Sequence, residues 1–352
     1  MKLVASLRRS RPEAARRSHA VPLWRRRSCP YPCRSLPIFA PVVSALFENL
    51  LSRPLVANRA QPVYCRSESV NILSIQSSVA YGHVGNSAAV FPLQRIGVEV
   101  WPVNTVQFSN HTGYGKWRGV TVPVEVVRDV LQGIEERGLL PSCDGVVSGY
   151  LGEAQLGEVI LDVYRRIKRV NPKATYCLDP VMGDVGRGFF VRPGIPEFMR
   201  DRALPAATLI APNQFELQFL SASRVRDCET VLAAVKTLQA RGPSVVLVTS
   251  LCREDAPNDE IEALAVDLDS AYVIATPRLP IVVNGAGDTT TALFYAHWLR
   301  TRSIRSALEF TVNAVFAVLE RTVEDGAREI QLIAAQDAIA NPPKRFVARA
   351  IA

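Results

Sequence analysis

The fold class this sequence predicts is α/β, a mainly parallel central sheet with helices on both faces. Three observations predict it. From residue 70 onward, short apolar runs alternate with segments of helical periodicity. The apolar runs are continuous, as in strands covered on both faces. Unusual polar residues stand directly after them: Ser77, Asn104, Gly149-Tyr150, Asp179 and Asn213. In parallel sheets the ligand lies beyond the carboxyl ends of the strands, where such residues collect.

The elements follow in order. Residues 71–76 (NILSIQ) read as a buried strand, and 86–96 as a helix ended by Gly97. A second strand spans 98–103. A helix over 124–137 is followed by Gly138, and a strand by 145–148. Leu156, Val159, Ile160, Val163 and Ile167 fall at helical spacing within 155–170, which stops at Asn171-Pro172. Residues 174–178 form a strand ending in Asp179-Pro180, and 208–211 another ending in Pro212-Asn213. A helix covers 230–240 and a Val-rich strand 244–249. Residues 261–276 read as a β-hairpin or meander turning near Asp269. Helices over 288–299 and 304–322 complete the pattern.

Of 352 residues, the first 70 hold 12 Arg and one Lys against three Glu, a net of +10; the rest carries −2 of the total +8. The main domain therefore lacks the basic footprint of a nucleic-acid binder. The stretch 1–69 is expected to be a disordered extension: an upstream segment from a start codon placed too early, an organelle transit peptide, or a basic arm. Residues 70–352 form the expected catalytic domain. Seven scattered Cys without a CxxC pair suit a reduced, cytoplasmic protein, with an organelle as the alternative if the extension is a transit peptide. No apolar run approaches the roughly 20 residues that span a bilayer.

Gly285-Ala286-Gly287-Asp288 precedes an apolar helix. A Gly-rich turn there leaves backbone N–H groups free to cradle a phosphate, and the helix dipole adds positive character. Asp288 can take a proton from a hydroxyl, or merely cap the helix. It is neither a P-loop nor a dinucleotide fingerprint. Asp179 at a strand end can hold Mg²⁺, or form a turn before Pro180. Glu216 falls in the first turn of a helix, where a carboxylate is favoured in any case. Three acidic groups on separate βα units are a more specific pattern, because phosphoryl transfer needs metal-binding carboxylates, an anion cradle and a base. The polar, aromatic loops 77–86 (SSVAYGHVGN) and 103–115 (VNTVQFSNHTGYG) suit an aromatic, hydroxylated small molecule. His111 and His83 can equally be loop residues bonded to the backbone.

The stretches 75–92 (IQSSVAYGHVGNSAAVFP), 104–115 (NTVQFSNHTGYG), 148–150 (SGY), 179–183 (DPVMG), 211–216 (APNQFE) and 285–288 (GAGD) resemble, in order and spacing, the pyridoxal kinases of the ribokinase-like superfamily. The likeness covers residues 70–342. It implies phosphorylation of the 5′-hydroxyl of pyridoxal by ATP with Mg²⁺, assisted by a monovalent cation such as K⁺, in a homodimer. It implies that Ser77 bonds the pyridine ring, that Thr112 and Gly113 line the vitamin pocket, and that Phe108, His111 and Tyr150 wall it. Asp288 is the implied base, with the N–H groups of Gly285, Ala286 and Gly287 stabilising phosphoryl charge. Asp179, Ala211 and Glu216 would face the ATP phosphates and Mg²⁺, the metal falling to Asp179 and Glu216. Thr249 and the segment Thr276, Pro277, Arg278 and Leu279 would border the nucleotide. Ser78 stands where these kinases commonly have His, and Thr249 where some bacterial members have Lys. The segment between Ala275 and Gly285 is shorter than in many members. The alternatives are a hydroxymethylpyrimidine kinase of the same superfamily and a vitamin B6 carrier without turnover.

Overall fold

A computed structural model describes residues 70–351. The basic stretch 1–69, on which the leader expectations fall, and Ala352 lie outside the described residues.

Ten strands form one sheet in the order β12-β11-β10-β9-β8-β5-β4-β1-β2-β3. The parallel centre comprises β1 (Asn71–Val79), β2 (Glu99–Phe108), β4 (Gly145–Ser148), β5 (Thr175–Leu178), β8 (Leu209–Ile210) and β9 (Val245–Leu251). Antiparallel strands border it: β3 (Gly119–Thr121) beside β2, and the run β10 (Glu260–Val266), β11 (Ala271–Pro277) and β12 (Arg349–Ala350) beyond β9. A separate two-stranded hairpin, β6 (Gly183–Asp184) with β7 (Gly188–Phe189), follows β5.

The continuous apolar runs have their reason in this geometry. Along β9, Val245 and Leu247 pack into one core, and Val246 and Val248 into the other. Ile72 and Leu73 of β1 divide in the same way. Successive side chains point to opposite faces, so a strand covered on both must be apolar at every position. One face is covered by α2 (Val124–Glu136), α3 (Ala154–Val170), a short helical stretch over 195–206, α4 (Gln214–Ser221) and α5 (Cys228–Gln239). The other carries α1 (Asn86–Arg95), α6 (Ala286–Thr301) and α7 (Ile304–Glu324). The five residues that predicted α3 are all buried. Each such aliphatic side chain contributes about 1.5–3 kcal/mol by burial.

The site is placed by one topological fact. β1 lies between β2 and β4, so the chain leaves β1 in one direction and later returns to its other side. A crevice opens at the carboxyl ends where the order reverses. Ser77 and the Ser148-Gly149-Tyr150 corner flank it. The register of β1 against β2 slips between Gln76 and Ser78, a bulge that re-aims the strand at Ser77.

The predicted elements are found, with differences. β1 runs on to Val79 instead of ending at 76, and the helical stretch over 195–206 was not expected. β2 continues to Phe108, because Thr105 and Val106 are buried and β3 pairs with its end. The hairpin β6–β7 and strands β3 and β12 are shorter than the period-2 signal can reveal. A final short helix, α8 (Gln336–Ala340), buries one apolar side chain, Ile339, and shows no periodicity.

Candidate active site

The turn before α6 has the geometry an anion cradle requires. Gly285 has φ 86°, a left-handed conformation, and an added methyl there would run into the His83 carbonyl. The first helical bond runs from the Thr289 N–H to the Gly285 carbonyl at 3.0 Å. The N–H groups of Gly285, Ala286 and Gly287 make no hydrogen bond among the described residues. A methyl on Gly287 would meet nothing within 4 Å, so the space above the turn is open. The Thr289 hydroxyl donates to the carbonyls of Gly285 (3.0 Å) and Ala88 (3.2 Å), tying the turn to α1.

Asp288 stands in the first turn of α6, partly exposed. Its carboxylate sits against the N–H groups of Gly85 and of Asp288 itself. Burial outweighs those bonds and pushes its pKa up to about 6. A carboxylate poised there is basic enough to accept a proton and is still ionised at neutral pH.

Asp179 follows β5 and is buried. Its Oδ2 accepts from the Thr291 hydroxyl at 2.8 Å, and burial together with the nearby Asp288 charge pushes its pKa up to about 8. Glu216 is also buried, at the start of α4. Its Oε1 accepts from the Met182 N–H (2.9 Å) and its Oε2 from the Asn213 N–H (3.0 Å); the Asn213 side chain accepts from the Glu216 N–H in return. That is a capping box. Burial, with Asp179 beside it, raises the Glu216 pKa well above the ordinary range. Asp179 thus stands between the other two: the Asp288 charge resists its ionisation, and its own charge resists that of Glu216.

On the acceptor side, Ser77 is buried at the β1 bulge, and its hydroxyl makes no hydrogen bond among the described residues. It lies against Gly85, where a Cβ would collide with it. Phe108 packs with Val79, Val84, Val106 and Tyr150, and its ring lies 4.2 Å from that of Trp117. Tyr150 is half-buried, and its carbonyl accepts from the Thr105 hydroxyl at 2.6 Å. His111 caps the short turn Thr112–Tyr114 by accepting from the Gly113 N–H at Nδ1 (3.1 Å), which leaves the proton on Nε2. Burial and the Arg187 charge hold its pKa below the usual value. Thr112 and Gly113 are exposed at the crevice. A Cβ on Gly113 would lie 3.9 Å from Asn284, so this loop reaches the Gly285–Asp288 turn.

On the nucleotide side, Ala211 is buried just beyond β8. Thr249 bridges to Asn213 across the carboxyl edge. β11 ends at the same edge: Glu262 of β10 pairs with Leu251 on one side and Ala275 on the other. Thr276 is buried there; Pro277 and Arg278 are exposed and Leu279 half-buried. The Arg278 guanidinium donates to the Cys252 Sγ at 2.7 Å. A 390 Å³ cavity lined by Arg253, Glu262, Val273 and Arg349 contains none of the predicted residues and is distinct from the site they form.

The chain matches the phosphomethylpyrimidine kinase family model over residues 105–331. It is 58% identical to pyridoxal kinase PdxY of Rubrobacter xylanophilus over 284 residues, covering 80% of this chain and 98% of that protein. The chain belongs to the pyridoxal kinase family. PdxY of Leifsonia xyli is 54% identical, over 79% of this chain and 98% of its own length. Pyridoxal kinase from Leishmania donovani, solved in complex with ADP and pyridoxamine, superposes with a TM-score of 0.75 at 26% identity, covering 80% of this chain and 99% of that one. The Entamoeba histolytica pyridoxal kinase gives 0.74 at 25%, over 80% and 100%.

Within this pyridoxal kinase fold, sequence reasoning missed three participants. Gly85 brings its N–H beside the Asp288 carboxylate, and Thr291 donates its hydroxyl to Asp179; both lie on elements already expected, but neither residue type signals a ligand. Glu329 lies far along the chain from the loops it meets, and no spacing rule connects them.

Proposed function

We propose that this chain transfers the γ-phosphoryl group of ATP to the 5′-hydroxyl of pyridoxal, giving pyridoxal 5′-phosphate. The observation that carries the proposal is the meeting of the Gly285–Asp288 turn, with its free N–H groups, and the 111–114 loop beside Asn284. Asp288 takes the proton from the acceptor oxygen as it attacks. The N–H groups of Gly285, Ala286 and Gly287 take the charge that develops on the transferring group. Ser77 bonds the pyridine ring, Thr112 and Gly113 hold the vitamin from the loop side, and Phe108, His111 and Tyr150 wall the pocket. Ala211, Thr249 and the segment Thr276 to Leu279 border the nucleotide. Catalysis of this kind is mainly positioning and charge stabilisation.

Asp179 and Glu216 suit Mg²⁺. They are hard oxygen donors, buried together, and their mutual repulsion is relieved by a cation. Among the described residues no three His, Cys, Asp or Glu gather as a metal cluster. Mg²⁺ held by one or two carboxylates plus nucleotide phosphates matches that donor set. When bound, the ion offsets phosphate charge. Residues 70–352 form the catalytic domain of a cytoplasmic homodimer in this reading, and the solution mass of the purified protein checks the dimer.

The test supplies purified protein with ATP, Mg²⁺ and either pyridoxal or hydroxymethylpyrimidine, and follows product by mass spectrometry. Pyridoxal is expected to be phosphorylated with the higher kcat/KM. A preference for hydroxymethylpyrimidine, or ATP consumption with neither, refutes the proposal.

A further inference from the structure

Glu329 occupies a junction that no site residue explains. It lies in the connection after α7, on a rigid seat. Ile330 and Leu332 are fully buried in a cluster with Ala88, Leu293 and Val318. The Gln331 N–H donates to Thr322 Oγ1 at 3.0 Å and its side chain to the Glu329 carbonyl at 2.8 Å. From this seat the Glu329 carboxylate reaches two loops on the acceptor side. Its Oε1 accepts from the Tyr114 hydroxyl, and its Oε2 from the His83 N–H at 3.0 Å. The carboxylate packs against Gly82 closely enough that a Cβ there would collide with it. The Arg328 guanidinium stacks over the Tyr114 ring, 3.7 Å from its centroid. The next residue, Ile330, touches the catalytic turn: its Cδ1 lies 3.3 Å from where a Gly285 Cβ would stand.

One short segment thus joins the loop after β1, the loop after β2 and the phosphate turn. The loop after β2 carries His111 to Gly113, and the loop after β1 packs through Gly85 against Ser77, so both hold groups assigned to the vitamin. The 81–83 and 111–115 loops are held otherwise by few long-range bonds, the Ala80 and Tyr81 N–H groups donating to the carbonyls of Phe108 and Ser109 at 2.9 Å. A carboxylate accepting two hydrogen bonds is a stronger tether than a neutral acceptor.

We infer that Glu329 is a positioning residue that fixes both acceptor-side loops relative to the Gly285–Asp288 turn and so sets the affinity for the pyridine substrate. The inference rests on the proposed pyridoxal phosphorylation for its kinetic readout, and on loop geometry for a second one. Truncation in Glu329→Ala frees both loops. The expected result is a KM for pyridoxal raised about tenfold, with KM for ATP changed by less than about twofold. Glu329→Gln, which keeps an acceptor oxygen, recovers most of the loss. Tyr114→Phe raises the same KM, and the double variant Glu329→Ala/Tyr114→Phe is no worse than Glu329→Ala, because the two side chains share one interaction. Hydrogen exchange of residues 81–83 and 111–115 rises in Glu329→Ala while α6 stays protected.

A parallel rise in both KM values, additive single variants, or unchanged exchange in the two loops overturns the inference. Absence of pyridoxal turnover in the unaltered protein refutes the functional proposal instead. The exchange experiment then decides the inference by itself.

Discussion

Replacing Gly287 with Ala separates the cradle from the cap. In a purely structural turn, this substitution is favourable. Gly287 is the second residue of α6, its φ is not positive, and the added methyl meets nothing within 4 Å. Gly to Ala inside a helix stabilises by about 0.5–1 kcal/mol. For a chain of this size that raises Tm by about 1–4 °C. In the proposed reaction the open space is also where the phosphoryl group approaches the N–H groups of the turn. A methyl there holds the group away from its donors, and losing a preorganised donor costs about 10²–10³-fold in kcat. Gly287→Ala is therefore expected to be more stable and at least about tenfold less active in kcat/KM for ATP. Differential scanning calorimetry and steady-state kinetics on one preparation suffice. Gly285→Ala is the control in which both quantities fall, since a side chain at φ 86° costs about 1–2 kcal/mol and also meets the His83 carbonyl. Full activity in Gly287→Ala refutes the assignment of the phosphate to this turn, and a lowered Tm refutes the claim that the space is open.

Other outcomes follow from the carboxylates. Asp288→Ala is expected to lower kcat by about 10²–10⁴-fold with Tm nearly unchanged; near-normal turnover removes the base assignment. In the unaltered protein, kcat/KM should fall as pH drops through about 6, where Asp288 takes up its proton. An acid limb that persists unchanged in Asp288→Asn assigns it elsewhere. Asp179 has its pKa raised from 3.8 to about 8, so the folded state holds a proton that the unfolded chain releases. The stability this gives is fully present below pH 3.8 and is lost as pH rises to about 8. Asp179→Asn keeps the Thr291 bond without the charge. It should raise the ligand-free Tm at pH 8 and leave it little changed near pH 4, a difference on the order of a few kcal/mol. Equal Tm at both pH values contradicts the buried-charge account.

Much of the fold was legible because its signals are local. Continuous apolar strands, the 3.6-residue stripe of α3 and the glycine after α2 each report on a few neighbouring residues. β3, the β6–β7 hairpin and β12 were not legible, since two or three residues carry no period and their pairing depends on distant partners. The site divides in the same way. Asp179, Asn213 and Asp288 stand at strand ends or a helix start and could be placed by topology alone. Glu329 and Thr291 could not, because each acts on a residue more than 100 positions away. Ser77 was expected just after a strand ending at 76, but β1 runs on to Val79 and Ser77 lies inside it. The bulge that re-aims it is a register shift against β2, and no single strand encodes that.

The capping and functional readings of the acidic residues are not rivals in this molecule. Glu216 is bound by two backbone N–H groups as a complete cap, and those bonds are what hold a carboxylate at a buried position beside Asp179. Each ionised carboxylate has about four lone-pair sites, so two donated bonds leave capacity on the side facing the crevice. Without the cap, burial and the neighbouring charge would expel or neutralise the group. With it, the upward shift is opposed but not cancelled, and the carboxyl group is held in place beside Asp179. The same reasoning applies to Asp288. Its bonds to the N–H groups of Gly85 and itself oppose the burial that raises its pKa. The balance of the two leaves a carboxylate whose pKa is pushed up only to about 6, which suits the base role proposed for it.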